Sequence, residues 1–197
     1  MAGGANSTNG ASRHLAGVTL RQLLEQGDWS YHDGHGGPPT GGRSVYECYP
    51  YTTLVGAAEL GYATEGQRPR YKRKPKFLPV ARWRPQRAAA CDELVRRLTR
   101  LASADPPLHL DSHPFTRQLI EEPSPEVDVD YKHREDLINA VICAWTAALW
   151  HRHGLARCQI LGPAAATRPI ATIIAPAASE QRRGQHEPRS APHKHVE

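Results

Sequence analysis

The chain has 197 residues, with 25 Lys and Arg against 20 Asp and Glu and a formal net charge of +5. Its 16 glycines, 17 prolines and mean hydropathy of −0.59 assign much of it to loops and tails, leaving about 130 residues for the core of a modest α/β domain. No apolar run is long enough to span a bilayer, and residues 1–15 lack the apolar stretch of a secretory signal. A cytoplasmic protein with no membrane partner is therefore expected. Cys48, Cys91, Cys143 and Cys158 are far apart and form no C-x-x-C pair, so they read as reduced thiols rather than disulfides or a zinc site.

In chain order, residues 1–15 form a disordered tail by composition. Thr19 to Gln26 has a short helical pattern, with Thr19 as cap and Leu20, Leu23 and Leu24 on one face. Residues 32–43 form a Gly-rich loop. Its His32, Asp33 and His35 are metal-binding types, but nothing nearby completes a site. Ser44 to Tyr49 reads as a strand that Pro50 ends, and Tyr51 to Leu60 reads as helical. Glu47 sits in that strand as an inward acid, and such breaks of pattern concentrate at functional sites.

Residues 66–85 are basic and punctuated by proline. Gln86 to Leu101 predicts an amphipathic helix, with Cys91, Leu94, Val95, Leu98 and Leu101 inward and Arg87, Arg96, Arg97 and Arg100 outward. Asp105 to Asp111 is a turn, and Pro114 to Glu122 a further helical piece. A long helix runs from about His133 to Arg152, almost unbroken in apolar and small residues from Leu137 to Trp150, with Gly154 as its stop. Cys158 to Leu161 and Ile170 to Ala175 are strand-like. Residues 177–197 form a second disordered tail.

Two constellations could carry chemistry. Glu47 on the strand, with Asp136 at the entry of the long helix and Asn139 one turn later on the same side, offers oxygens from different elements. Hard divalent ions such as Mg²⁺ or Mn²⁺ take such ligands. The structural alternative pairs Glu47 with an arginine and leaves Asp136 as an acid favoured by the helix dipole. The second constellation runs from Arg68 to Arg87 without an acid. It contains Arg70, Lys72, Arg73, Lys74, Lys76 and Arg82, interleaved with Tyr71, Phe77 and Trp83. Cations with interspersed aromatics suit a phosphate backbone with stacked bases; the alternative is a solvated basic loop. The chain has no Walker, dinucleotide, G-x-S-x-G or H-E-x-x-H motif.

Three segments together resemble a known family. Tyr-Glu-Cys-Tyr-Pro-Tyr at 46–51, Arg-Tyr-Lys-Arg-Lys at 70–74 and His-Arg-Glu-Asp-Leu-Ile-Asn-Ala-Val-Ile-Cys-Ala-Trp at 133–145 resemble the domain of unknown function 429 family of ribonuclease H-like nucleases. In that family a strand carries E-x-x-P, a lysine-containing segment follows, and a late helix carries D-x-x-D-A. The resemblance covers residues 16–176. It implies an α/β fold, a partial ribonuclease H-like sheet flanked by helices, without the N-terminal strands that bear a Gly-Ile-Asp motif. It also implies phosphodiester hydrolysis with two Mg²⁺ or Mn²⁺ ions, with Glu47 and Asp136 as catalytic metal ligands. Asn139 falls where the family has a second helix acid, which removes one balancing charge. Two other expectations stand beside this one: a nucleic-acid-binding protein without catalysis, using residues 68–87, and a partner-binding fragment that associates through an exposed sheet edge.

Overall fold

The computed structural model describes residues 11–162, 172–178 and 181. In chain order these form α1 (Ala11–Gln26), β1 (Trp29–Tyr31), β2 (Arg43–Val45), β3 (Glu47–Cys48), α2 (Pro50–Gly56), α3 (Val80–Leu98), α4 (Pro114–Glu121), α5 (Asp128–His153), β4 (Cys158–Leu161) and β5 (Ile173–Pro176), with short 3₁₀ turns between. The architecture is mixed α/β. One sheet is the parallel pair β1–β2 and the other has the order β3-β5-β4, with β5 parallel to β3 and antiparallel to β4.

The long apolar run determines where the core lies. Its large side chains share one side and need cover from neighbours, while the small Ala140, Ala144 and Ala148, at i, i+4 spacing, form an exposed stripe. Helix α5 buries Ile138, Val141, Ile142, Trp145, Leu149 and Trp150 and packs against α2, α4 and β5. Two of its buried polar side chains are satisfied locally, whereas the Trp150 indole N–H has no partner among the described residues. Trp145 donates its indole N–H to the Pro106 carbonyl at 2.9 Å. Thr146 donates its hydroxyl to the Ile142 carbonyl at 2.8 Å, so at the 2.8 Å contact between the two hydroxyls Thr53 is the donor. Helix α2 lies so close to β5 that a Cβ on Gly56 would stand 2.2 Å from the Pro176 carbonyl oxygen. Gly154, with φ 50°, caps α5 through its N–H to the Trp150 carbonyl, as expected for the stop.

Several boundaries differ from the sequence reading. Helix α1 begins at Ala11, inside the tail expected through residue 15, while residues 1–10 lie outside the described residues. Leu20 and Leu23 are 58% and 59% exposed, so the expected apolar face of α1 is not buried. The expected strand 44–49 splits at Tyr46, which packs on the core, and its halves join different sheets. Helix α3 starts at Val80 rather than Gln86, with Pro85 inside it. Pro79 serves as its N-cap, and Pro85 in the second turn forfeits a single backbone hydrogen bond, so neither proline breaks the helix. Helix α5 starts at Asp128, so Asp136 lies two turns inside rather than at the entry. The final strand is Ile173–Pro176; residues 170–171 and most of the expected C-terminal tail lie outside the described residues.

Two arginines of α3 expected to face water are buried instead. Arg97 is 2% exposed. Its guanidinium donates to Glu65 at 2.5 Å, Glu93 at 2.7 Å, Gln67 at 3.0 Å and the Leu60 carbonyl at 2.8 Å, and stacks over the Tyr62 ring. Arg87, 3% exposed, is taken up below. From α5, buried Arg134 donates to the Leu119 and Glu122 carbonyls at 2.8 and 2.7 Å, satisfying the C-terminal end of α4 with a cation where the dipole favours one.

The guanidinium of Arg97 holds the Glu65 carboxyl below its usual range, and Arg96 and then Arg97 do the same for Glu93. Carboxyls depressed in the folded state stabilise it above their unfolded pKa, and that stability is lost as pH falls through the folded value. Urea midpoints should therefore fall as pH drops below about 4. Arg97→Met should flatten that fall and cost roughly 1–3 kcal/mol through the Leu60 carbonyl left without its donor.

Candidate functional site

The basic segment is anchored by a residue that sequence reasoning placed among its ligand-stacking aromatics. Tyr71 is 0% exposed. Its hydroxyl donates to Asn139 Oδ1 on α5 at 3.0 Å, and its carbonyl accepts from the Tyr131 hydroxyl, also on α5. Lys72 pairs with Glu135 at 3.5 Å, on the same face of α5 one turn before Asn139. Burial pushes the Tyr71 and Tyr131 hydroxyls up, so both remain neutral donors.

A second set of cations is also committed to the fold. Asp128, in the first turn of α5, meets Arg84 and Arg87 at 2.9 Å each and Lys74 at 3.7 Å. Arg84 and then Arg87 lower its carboxyl below the usual range. The Arg87 guanidinium lies between the Tyr131 ring at 3.8 Å and the Trp83 ring at 4.8 Å. Trp83 is 8% exposed, so two of the three aromatics expected to stack on a ligand are inside the protein.

What remains is a free basic surface. Arg68, Arg70, Arg73, Lys76 and Arg82 are exposed, and among the described residues their side chains make no ion pair or hydrogen bond. Phe77, between Lys76 and Leu78, is 98% exposed. Two open clefts run along α3 beneath this segment. One, of 580 Å³, is lined by Tyr62, Gly66, Gln67, Arg68, Arg70, Ala90 and Glu93. The other, of 370 Å³, is lined by Arg70, Arg73, Pro75, Leu78, Trp83, Gln86, Arg87, Ala89 and Ala90. They share Arg70 and Ala90, so Arg70 stands over a groove that continues on either side of it.

The expected metal ligands have surroundings of their own. Glu47 is exposed rather than inward. Asp136 is exposed and pairs with Lys132 one turn earlier. Asn139 uses its carbonyl oxygen on Tyr71. Among the described residues no group of three or more His, Cys, Asp and Glu is placed to hold a metal ion. In the loop, Asp33 Oδ1 accepts from the His35 backbone N–H at 2.9 Å, a local turn and not a ligand cluster.

Sequence reasoning missed the clamp formed by Tyr71, Tyr131 and Asn139. The i, i+4 spacing of Glu135 and Asn139 already placed them on one helix face. Their partners lie 63 and 68 positions away in sequence, at Lys72 and Tyr71. Tyr71→Phe should cost about 1–3 kcal/mol by leaving the Asn139 oxygen without its donor. The denaturant slope should stay unchanged, as expected when the loss is confined to the folded state.

No family model, no curated protein and no solved structure matches the chain.

Proposed function

We propose that this protein binds single-stranded nucleic acid along the groove between residues 68–82 and α3. One observation carries the reading. Five exposed cations, Arg68, Arg70, Arg73, Lys76 and Arg82, have no side-chain partner among the described residues, and the 98% exposed ring of Phe77 projects beside them. A solvated basic loop needs no exposed aromatic, because leaving a phenyl ring in water forgoes its burial. A strand of phosphates with unstacked bases uses both features: cations track the backbone and a base stacks on the ring. The acids that neutralise Lys72, Lys74, Arg84 and Arg87 lie on α5, on the side that packs against the segment. Along the clefts Arg68, Arg70 and Arg73 stay unpaired among the described residues, and Glu93, which also lines the larger cleft, is taken up by Arg96 and Arg97.

If the five free cations each meet a phosphate, log K should fall with log salt at a slope of about −3.5 for a single strand. Binding of a labelled oligonucleotide across a salt series measures it. Arg70→Ala should weaken binding and reduce the slope by about 0.7. Phe77→Ala should cost about 1–3 kcal/mol of binding and leave the slope unchanged, because stacking releases no counterions. A flat salt response would sink the proposal.

Metal-dependent phosphodiester cleavage, implied by the resemblance to the domain of unknown function 429 family, is the second reading. It is favoured by the exposure of Glu47 and Asp136, whose oxygens a hydrated Mg²⁺ or Mn²⁺ can reach. Incubating the same oligonucleotide with Mg²⁺ or Mn²⁺ separates binding from cleavage. Products that vanish in Glu47→Gln and Asp136→Asn would establish the enzyme, whereas intact oligonucleotide under saturating binding would leave the binding protein.

A further inference from the structure

One buried cation sets in place three polar side chains of the larger cleft. The Arg97 guanidinium stacks 4.4 Å from the centre of the Tyr62 ring. It also donates to Gln67 Oε1 at 3.0 Å and to Glu93 Oε1 at 2.7 Å. The Gln67 backbone N–H donates to the Tyr62 carbonyl at 2.9 Å, which closes the turn that carries both residues. Tyr62, Gln67 and Glu93 all line the 580 Å³ cleft, with the unpaired Arg68 and Arg70 beside them.

The hydrogen-bonding capacity left in this cleft is uneven. A guanidinium only donates, so Gln67 turns its oxygen to Arg97 and keeps both amide N–H groups free among the described residues. Tyr62 is 3% exposed, yet its hydroxyl has no hydrogen-bond partner among the described residues. Burial pushes that hydroxyl up to about 12, so it stays a neutral O–H. Glu93 accepts from Arg96 at both oxygens and from Arg97 at one, which leaves about one of the roughly four lone-pair sites of a carboxylate. Three donor hydrogens therefore face one strong acceptor site. A buried hydroxyl without a partner is costly, and a ligand that pairs with it recovers that cost.

We propose that this cleft is a guanine pocket, in which the base of one nucleotide is held while the phosphates on either side of it meet Arg68 and Arg70. The proposal rests on the reading of residues 68–82 as a nucleic-acid groove and adds a base preference to it. Along one edge guanine presents acceptor, acceptor and donor in succession, at N7, O6 and N1–H. Gln67 and Tyr62 donate to N7 and O6, and the remaining lone pair of Glu93 takes N1–H. Adenine places its amine between two acceptors, and thymine and uracil place N3–H between two carbonyls, so none of these has adjacent acceptors for the two donors. Cytosine has the same succession as guanine, but on a single ring that fills less of the cleft.

The test uses the full-length chain and labelled single-stranded thymidine oligonucleotides in which one central position is guanine, adenine, cytosine or thymine. Guanine should bind roughly tenfold tighter or more than the other three, the range of one good base contact. Hypoxanthine, which keeps N7, O6 and N1–H, should match guanine. The analogue 7-deazaguanine, which lacks N7, should lose roughly two- to tenfold. These ligand changes leave the protein untouched. Tyr62→Phe keeps the ring under Arg97 and should cut the guanine advantage by roughly two- to tenfold, with the salt slope unchanged because no phosphate contact is lost. Ala90, which also lines the cleft, makes none of the proposed hydrogen bonds; Ala90→Leu should fill the space and abolish the advantage, with the urea midpoint retained. Equal affinity for the four bases, preference for a base other than guanine, or equal binding of guanine and 7-deazaguanine would each overturn the guanine pocket and leave the nucleic-acid reading standing. Failure of every oligonucleotide to bind would overturn both.

Discussion

Tyr71 is the fixed point of the basic segment. Without it, residues 66–79 would be a proline-punctuated coil with like charges repelling one another and no reason to adopt one course. Full burial of the ring, with both its hydroxyl and its backbone carbonyl hydrogen bonded to α5, ties the middle of the segment to the most buried helix of the molecule. A buried hydroxyl whose partner is removed costs more than the hydrogen bond itself contributes, so the anchor resists sliding in register. The cations on either side of Tyr71 inherit their positions from that contact.

The same helix sorts the positive charge into two populations. Glu135 and Asp128 on α5 draw Lys72, Lys74, Arg84 and Arg87 into ion pairs or between rings. These cations hold the segment down. Arg68, Arg70, Arg73, Lys76 and Arg82 stay exposed, with no side-chain partner among the described residues. Charged partners on a protein surface contribute little to stability, so the division matters less for folding than for the field it leaves over the groove. Arg97 follows the same logic on α3. A side chain expected to point to water is held inside by two carboxylates, an amide and a carbonyl, which take four of its five N–H donors.

Most helices were legible from pattern. Pro114–Glu121 and the apolar run of α5 were read closely, because a capped amphipathic turn and an all-apolar run each have one stable outcome. The start of α3 was read late, since Pro79 and Pro85 look like breaks until their places at the N-cap and in the second turn are known. The strand at 44–49 was read as one element because alternation carries no signal for a change of sheet at Tyr46. Of the candidate site, the basic run was visible as composition. Its separation into anchored and free cations was not, because the acids responsible lie on a helix more than 40 positions away. Glu47 and Asp136 looked like an inward acid and a helix-entry acid, yet Glu47 is exposed and α5 starts five residues earlier than expected, which puts Asp136 well inside the helix.

By itself the sequence determined the mixed α/β class, the buried helix around residues 137–150 and the presence of a long acid-free basic stretch. Each of these follows from local composition and periodicity, which act over a few residues. The tertiary structure alone decided which aromatic remains in water and which arginines are free. Those outcomes depend on desolvation: burying Tyr71 and Trp83 excludes water from their rings, and only the packed neighbours on α5 determine which cations go with them. Phe77 stays exposed because nothing packs over it, and no pattern in its own neighbourhood distinguishes it from the two rings that are covered.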